Sequence, residues 1–174
     1  MATVIDGSAS VTINNGAVLG ITSGTAVSLS GTNVDFTGIP SWAKRITVML
    51  AGAKQNNSGA NSFKFRLGTS GGVVSSGYVG SSGYFGGAPG SVASSNGFDI
   101  YFDTNTYIYS GLLTVTNISG NVWVGAGSFG QTQGYQIVVG AYVDLGAALT
   151  QLRFTTANGT NTFTAGTINI MYEG

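Results

Sequence analysis

The sequence predicts an all-β protein: an antiparallel β-sandwich of jelly-roll type with an N-terminal β-hairpin or arm. Three observations carry that prediction. Apolar and polar residues alternate at period two in short runs along the chain. No window keeps the i, i+3, i+4, i+7 apolar spacing of an amphipathic helix for more than a turn. Turn chemistry built from Gly, Asn, Ser and Asp recurs between the runs.

Taken in order, residues 11–13 and 17–21 flank Asn14-Asn15-Gly16, which tolerates positive φ, and together predict a first hairpin over residues 10–21. Residues 1–21 are therefore expected to form an arm that packs on the body or reaches a neighbour, and residues 22–174 a single sandwich domain. Residues 45–51 form the next run. Phe63, Phe65 and Leu67 share one face with Lys64 and Arg66 on the other, which predicts a half-buried strand. After a run at 73–78, the stretch from Gly80 to Gly97, rich in Gly and Ser and containing Pro89, predicts the clearest loop in the chain. Further runs lie at 98–102, 107–116, 122–124, 135–143, 149–156 and 167–172. Ser119-Gly120 and Asn158-Gly159 each predict a hairpin connection.

Composition limits the chemistry. The 174 residues include no His and no Cys, and six Lys plus Arg balance six Asp plus Glu, so the formal net charge is zero. Without His the usual proton shuttle near neutral pH is missing, and without Cys there is no thiol nucleophile, soft metal ligand or disulfide scaffold. An enzyme, a metal site and a bound cofactor are not expected. Nucleic acid is not an expected partner, because its recognition rests on clustered cations that neutralise phosphates. No apolar stretch approaches a membrane span and the N-terminus lacks a secretory pattern, so membrane insertion is not expected and synthesis in a host cytoplasm is. A weakly charged, neutral surface resists association poorly, which favours life inside an assembly.

Few motifs carry chemistry. Gly125, Gly127 and Gly130 match the spacing of a dinucleotide fingerprint with Asp144 downstream, but residues 131–143 read as a strand where a phosphate site needs a helix N-terminus. A loop or bulge is expected there instead. Asp99 and Asp103 are the closely spaced carboxylates a glycosidase would need, yet four residues on a strand separate them by roughly 13 Å. Asp103, Asn105 and Thr106 offer oxygens for a Ca²⁺ ion without the spacing of an EF-hand, and the plainer expectation is a turn. Trp42 and Trp123 are expected in the core. Tyr78, Tyr84 and Phe85, set among the glycines of the predicted loop, are the expected contacts to a partner or a glycan.

Several segments together resemble a known module. Asp35-Phe-Thr-Gly-Ile-Pro-Ser-Trp-Ala-Lys-Arg-Ile-Thr-Val-Met49, then Arg66-Leu-Gly-Thr-Ser-Gly-Gly-Val73 with Ser76-Gly-Tyr78, begin the match. It continues through Leu113-Thr-Val-Thr-Asn-Ile-Ser-Gly-Asn-Val-Trp-Val124, Leu152-Arg-Phe-Thr-Thr-Ala-Asn-Gly-Thr-Asn-Thr-Phe163 and Ala165-Gly-Thr-Ile-Asn-Ile-Met-Tyr-Glu173. In this order they resemble a module of tailed-bacteriophage virion proteins of the tail-fibre type, over residues 22–174. The resemblance implies a virion surface protein without catalytic residues. Only about 20 residues precede the module, with no coiled-coil or collagen-like shaft. The expectation is therefore a small unit complete in itself: a decoration or cement protein on the capsid exterior, bound to the major capsid protein and to itself as a homotrimer or dimer. The alternative is an adsorption module among the tail proteins that binds host surface glycan. A polysaccharide-degrading enzyme using Asp99 and Asp103 is the third.

Overall fold

The computed structural model describes residues 12–13, 16–17, 20–56, 63–86, 89–101 and 107–174, and every regular element among them is a β-strand. A short hairpin, β1 (Thr12–Ile13) and β2 (Gly16–Ala17), comes first, with Ile13 opposite Gly16 as the turn residues predict. The remaining strands form two antiparallel sheets packed face to face.

The larger sheet has nine strands. Its central ribbon is β6 (Arg45–Gln55), β12 (Tyr109–Ser119), β13 (Val122–Gln131) and β14 (Gln136–Asp144). The hairpin of β9 (Val79–Phe85) and β10 (Gly90–Ala93) extends it on one side. On the other side β16 (Phe163–Glu173) carries the short strands β3 (Thr22–Ser23) and β4 (Val27–Ser28). The smaller sheet runs β11 (Phe98–Ile100), β7 (Phe63–Thr69), β15 (Gln151–Thr156) and β5 (Asn33–Thr37), with β8 (Gly72–Val73) also paired to β7.

The core between the sheets is aromatic. Phe65 stacks on Phe154 with centroids 4.6 Å apart, and Phe154 stacks on Phe163 of the opposite sheet at 5.0 Å. Phe63 meets Tyr109 edge-on across the same interface at 5.7 Å. Trp123 is buried, as expected, and Trp42 packs against Tyr172 at the margin of the core. Aromatic pairs of this kind add to the apolar area that each ring removes from water.

Several local expectations change. Of the run at 73–78 only Val73 lies in a strand, β8. The stretch from Gly80 to Gly97 is not one long loop: most of it is the β9–β10 hairpin, whose small residues hid their strand character because Gly and Ser carry little alternation signal. Gly125–Gly130 is neither loop nor bulge but the interior of β13. Its glycines serve close packing, since a Cβ on Gly125 would lie 2.6 Å from the Phe98 ring of the other sheet. Asn158-Gly159 makes a turn, with Asn158 Oδ1 accepting from the amides of Thr160 and Asn161, but it passes the chain from β15 to β16 in the opposite sheet and joins no hairpin. Finally, β7 is buried on both faces: Lys64 is 8% exposed, where the alternation predicts a solvated side chain.

Candidate interaction surface

The aromatics singled out from the sequence separate in the fold. Tyr78, expected as a contact, is a core residue at 3% exposure, where its hydroxyl accepts a hydrogen bond from the Leu67 amide at 2.7 Å and its ring meets Phe98 edge-on. Burial pushes its phenol up to about 12. The apolar side of the ring, not the neighbouring glycines, decided its place. Tyr84 is half-buried on the inner side of β9, stacked on Tyr101 at 4.2 Å and tilted against Tyr135 at 6.0 Å. Phe85 points the other way and is 56% exposed. Only Phe85 of the three therefore presents an open face to a partner.

Asp99 is fully buried, its carboxylate bonded to the Lys64 ammonium, and its amide donates to Ser94 Oγ. Burial pushes the Asp99 carboxyl up from its ordinary value, against the opposing pull of Lys64 and Arg66. An ion pair at this depth is inaccessible to a polysaccharide in this conformation. Asp103, its expected catalytic partner, lies outside the described residues with Asn105 and Thr106, so the glycosidase pair and the Ca²⁺ reading have no described geometry.

Phe85 belongs to a larger feature. In β14 burial alternates strictly, with Ile137, Val139, Ala141 and Val143 turned to the core and Gln136, Val138, Gly140, Tyr142 and Asp144 turned outward. Strand register carries that outward side across the sheet. Tyr142 lies beside Val124 and Val79, Val138 beside Ser128 and Gly83, and Leu112 opposite Ser128 and Met49. Val79, Leu112, Val124, Val138 and Tyr142 are between 40% and 55% exposed. Charge is nearly missing from this face. Arg45 and Glu173 sit at one end and bond to each other, Lys54 lies toward the other end of β6, and Asp144 lies at the margin.

This surface lies outside the residues expected from the sequence, although a signal was present. Residues 137–139 and 142–143 are apolar without interruption, as is Val122-Trp123-Val124, and a strand apolar on both faces is one that expects cover on both. No protein-family model, curated protein or solved structure matches the chain.

Proposed function

We propose that this chain is a non-enzymatic structural protein of a tailed-phage virion, a decoration protein on the head exterior that works by surface contact. The observation that carries the reading is the outer face of the nine-stranded sheet, a largely apolar surface with charge only at its margins. Contiguous apolar patches beyond a few hundred Å² are uncommon on soluble monomers and mark interaction sites. The virion as the setting is supported by the resemblance of residues 22–174. The partners of this reading are the major capsid protein and further copies of the chain.

Quantitative mass spectrometry of purified virions, with labelled-antibody imaging, tests it. A ratio to the major capsid protein near one to one, or one trimer per local threefold, with label over the head is the expected result. A handful of copies confined to the tail would reject decoration.

The second reading, an adsorption module at a fibre or tail tip that binds host glycan, is favoured by one specific feature. Phe85 is exposed at the end of β9, on the face opposite the half-buried cluster of Tyr84, Tyr101 and Tyr135. Aromatic faces of this kind suit sugar rings. Binding of the purified protein to host cells, lost in Phe85→Ala, would support it; no cell binding by the parent protein would reject it.

A further inference from the structure

We propose that the outer face of the nine-stranded sheet is a two-fold interface on which a second copy of this chain packs sheet against sheet. The inference rests on the reading of this face as a contact surface and names its occupant. Side-chain size on the face is arranged in bands that run across the strands. One band holds Val124, Tyr142 and Val79, neighbours in successive strands. Two residues further along, Ala126, Gly140, Ser81 and Ala93 align in the same way, every one of them small and exposed. Beyond them Met49, Leu112 and Val138 stand tall again, interrupted by Ser128.

A ridge, a trough and a second ridge therefore lie side by side, spaced by roughly 7 Å because two residues of strand separate them. Such a surface is complementary to itself. Rotated by a two-fold axis, the Val124–Tyr142–Val79 ridge of one copy enters the Ala126–Gly140–Ser81 trough of the other, and the reverse contact follows by symmetry. The inner faces of β-sandwiches interdigitate in this manner about 10 Å apart.

Area and charge agree with that occupant. Six strands spaced by about 4.8 Å, over some seven residues of length, present roughly 700 Å² per copy. Two copies would bury about 1,400 Å², inside the span of about 1,200–2,000 Å² typical of stable interfaces. An isologous contact sets each group near its own symmetry mate or a neighbour, so unpaired charge on the face would oppose it. Here Arg45 and Glu173 already neutralise each other at one end, Asp144 and Lys54 lie at the margins, and the trough carries no charge.

Gly140 supplies a clean test, because a Cβ there meets nothing within 4 Å and its φ is not in the left-handed region. Gly140→Glu adds a charge to the trough without disturbing the single subunit. Sedimentation velocity of the full chain across the micromolar range is expected to give a dimer for the parent protein. Gly140→Glu should raise the dissociation constant by about 100-fold or more, as a buried unpaired charge does, with the thermal midpoint of the diluted, monomeric protein unchanged. Thr37→Glu, on the outer side of the smaller sheet, should leave the dimer intact. Should Gly140→Glu fail to fold, Ala126→Glu asks the same question of the trough from β13.

A parent protein that stays monomeric throughout, one that forms a trimer, or a dimer that survives the trough substitutions would overturn the inference. Solution pairing and virion location fail separately. Monomers found in capsid stoichiometry on heads would reject the paired face and keep decoration, whereas a dimer missing from virions would do the opposite.

Discussion

The outward faces of the two sheets make opposite use of the same strand geometry. On the smaller sheet, alternate positions carry Asp35, Lys64, Arg66, Asp99 and Arg153, and their charges find partners within the chain. Arg153 holds Asp35 through two hydrogen bonds of 2.6 and 2.7 Å, Lys64 bonds Asp99, and Arg66 donates to the Asn96 carbonyl at 2.7 Å. On the larger sheet, apart from the Arg45–Glu173 pair at one end, the corresponding positions carry mostly Val, Leu, Tyr and small residues. The first face pairs its charges within the chain. The second leaves apolar area exposed, and this contrast marks the candidate interaction surface in a protein with few chemical landmarks.

The contrast can be broken most severely at the buried pair. Asp99→Leu or Lys64→Met alone leaves one uncompensated buried charge and is expected to cost about 3–5 kcal/mol in denaturant unfolding. The double variant should recover most of that loss, because both desolvation costs vanish together. A double variant as unstable as either single one would show that the pair organises more than its own charge.

Gly125 and Gly140 test the two sides of the larger sheet directly. Gly125→Ala forces a methyl toward Phe98 and should cost about 1–3 kcal/mol by overpacking. Gly140→Ala faces open space and should stay within about 0.5 kcal/mol of the parent. Equal effects would mean that the faces have been assigned wrongly.

Tyr78→Phe leaves the Leu67 amide without its acceptor and is expected to cost about 1–3 kcal/mol at neutral pH. Its pH dependence follows from the raised phenol. With the folded group at about 12 against an ordinary 10.0, the parent's stability from this group is complete below pH 10 and declines as pH rises toward 12. Tyr78→Phe removes that decline, so the two unfolding curves should converge in alkali. Parallel curves would exclude the assignment.

The smallest effect belongs to the exposed charges. Arg153→Ala should cost about 0.2–1 kcal/mol, less at high salt, since the pair with Asp35 is partly solvated. The Arg45 guanidinium holds the Glu173 carboxyl below its ordinary value, so this contribution is present above the usual carboxylate range and fades as pH falls through the lowered value.

Period-two alternation was enough to identify an antiparallel sandwich and to place Phe63, Phe65 and Leu67 inside it, because side-chain direction in a strand is a local property. It failed where residues are small. The β9–β10 hairpin is written in Gly and Ser, and β13 contains glycines whose reason for being there is the Phe98 ring, distant in sequence and in the other sheet. Among the contact candidates, Phe85 emerged exposed, while Tyr78 was drawn inward by the opportunity to bury a ring and satisfy its hydroxyl at once. The candidate interaction surface is written in the sequence only as strands apolar on both sides, which motif and turn patterns do not single out.

Local order therefore settled the class of structure, the strand faces and the scarcity of chemical groups, for these depend on neighbours in the chain. Which of two apolar faces is buried, that Lys64 meets Asp99, and that Val124, Tyr142 and Val79 align into one band depend on which strands come to lie side by side. Pairing of strands far apart in sequence is a property of the whole packed chain, and alternation within a single strand contains no record of it.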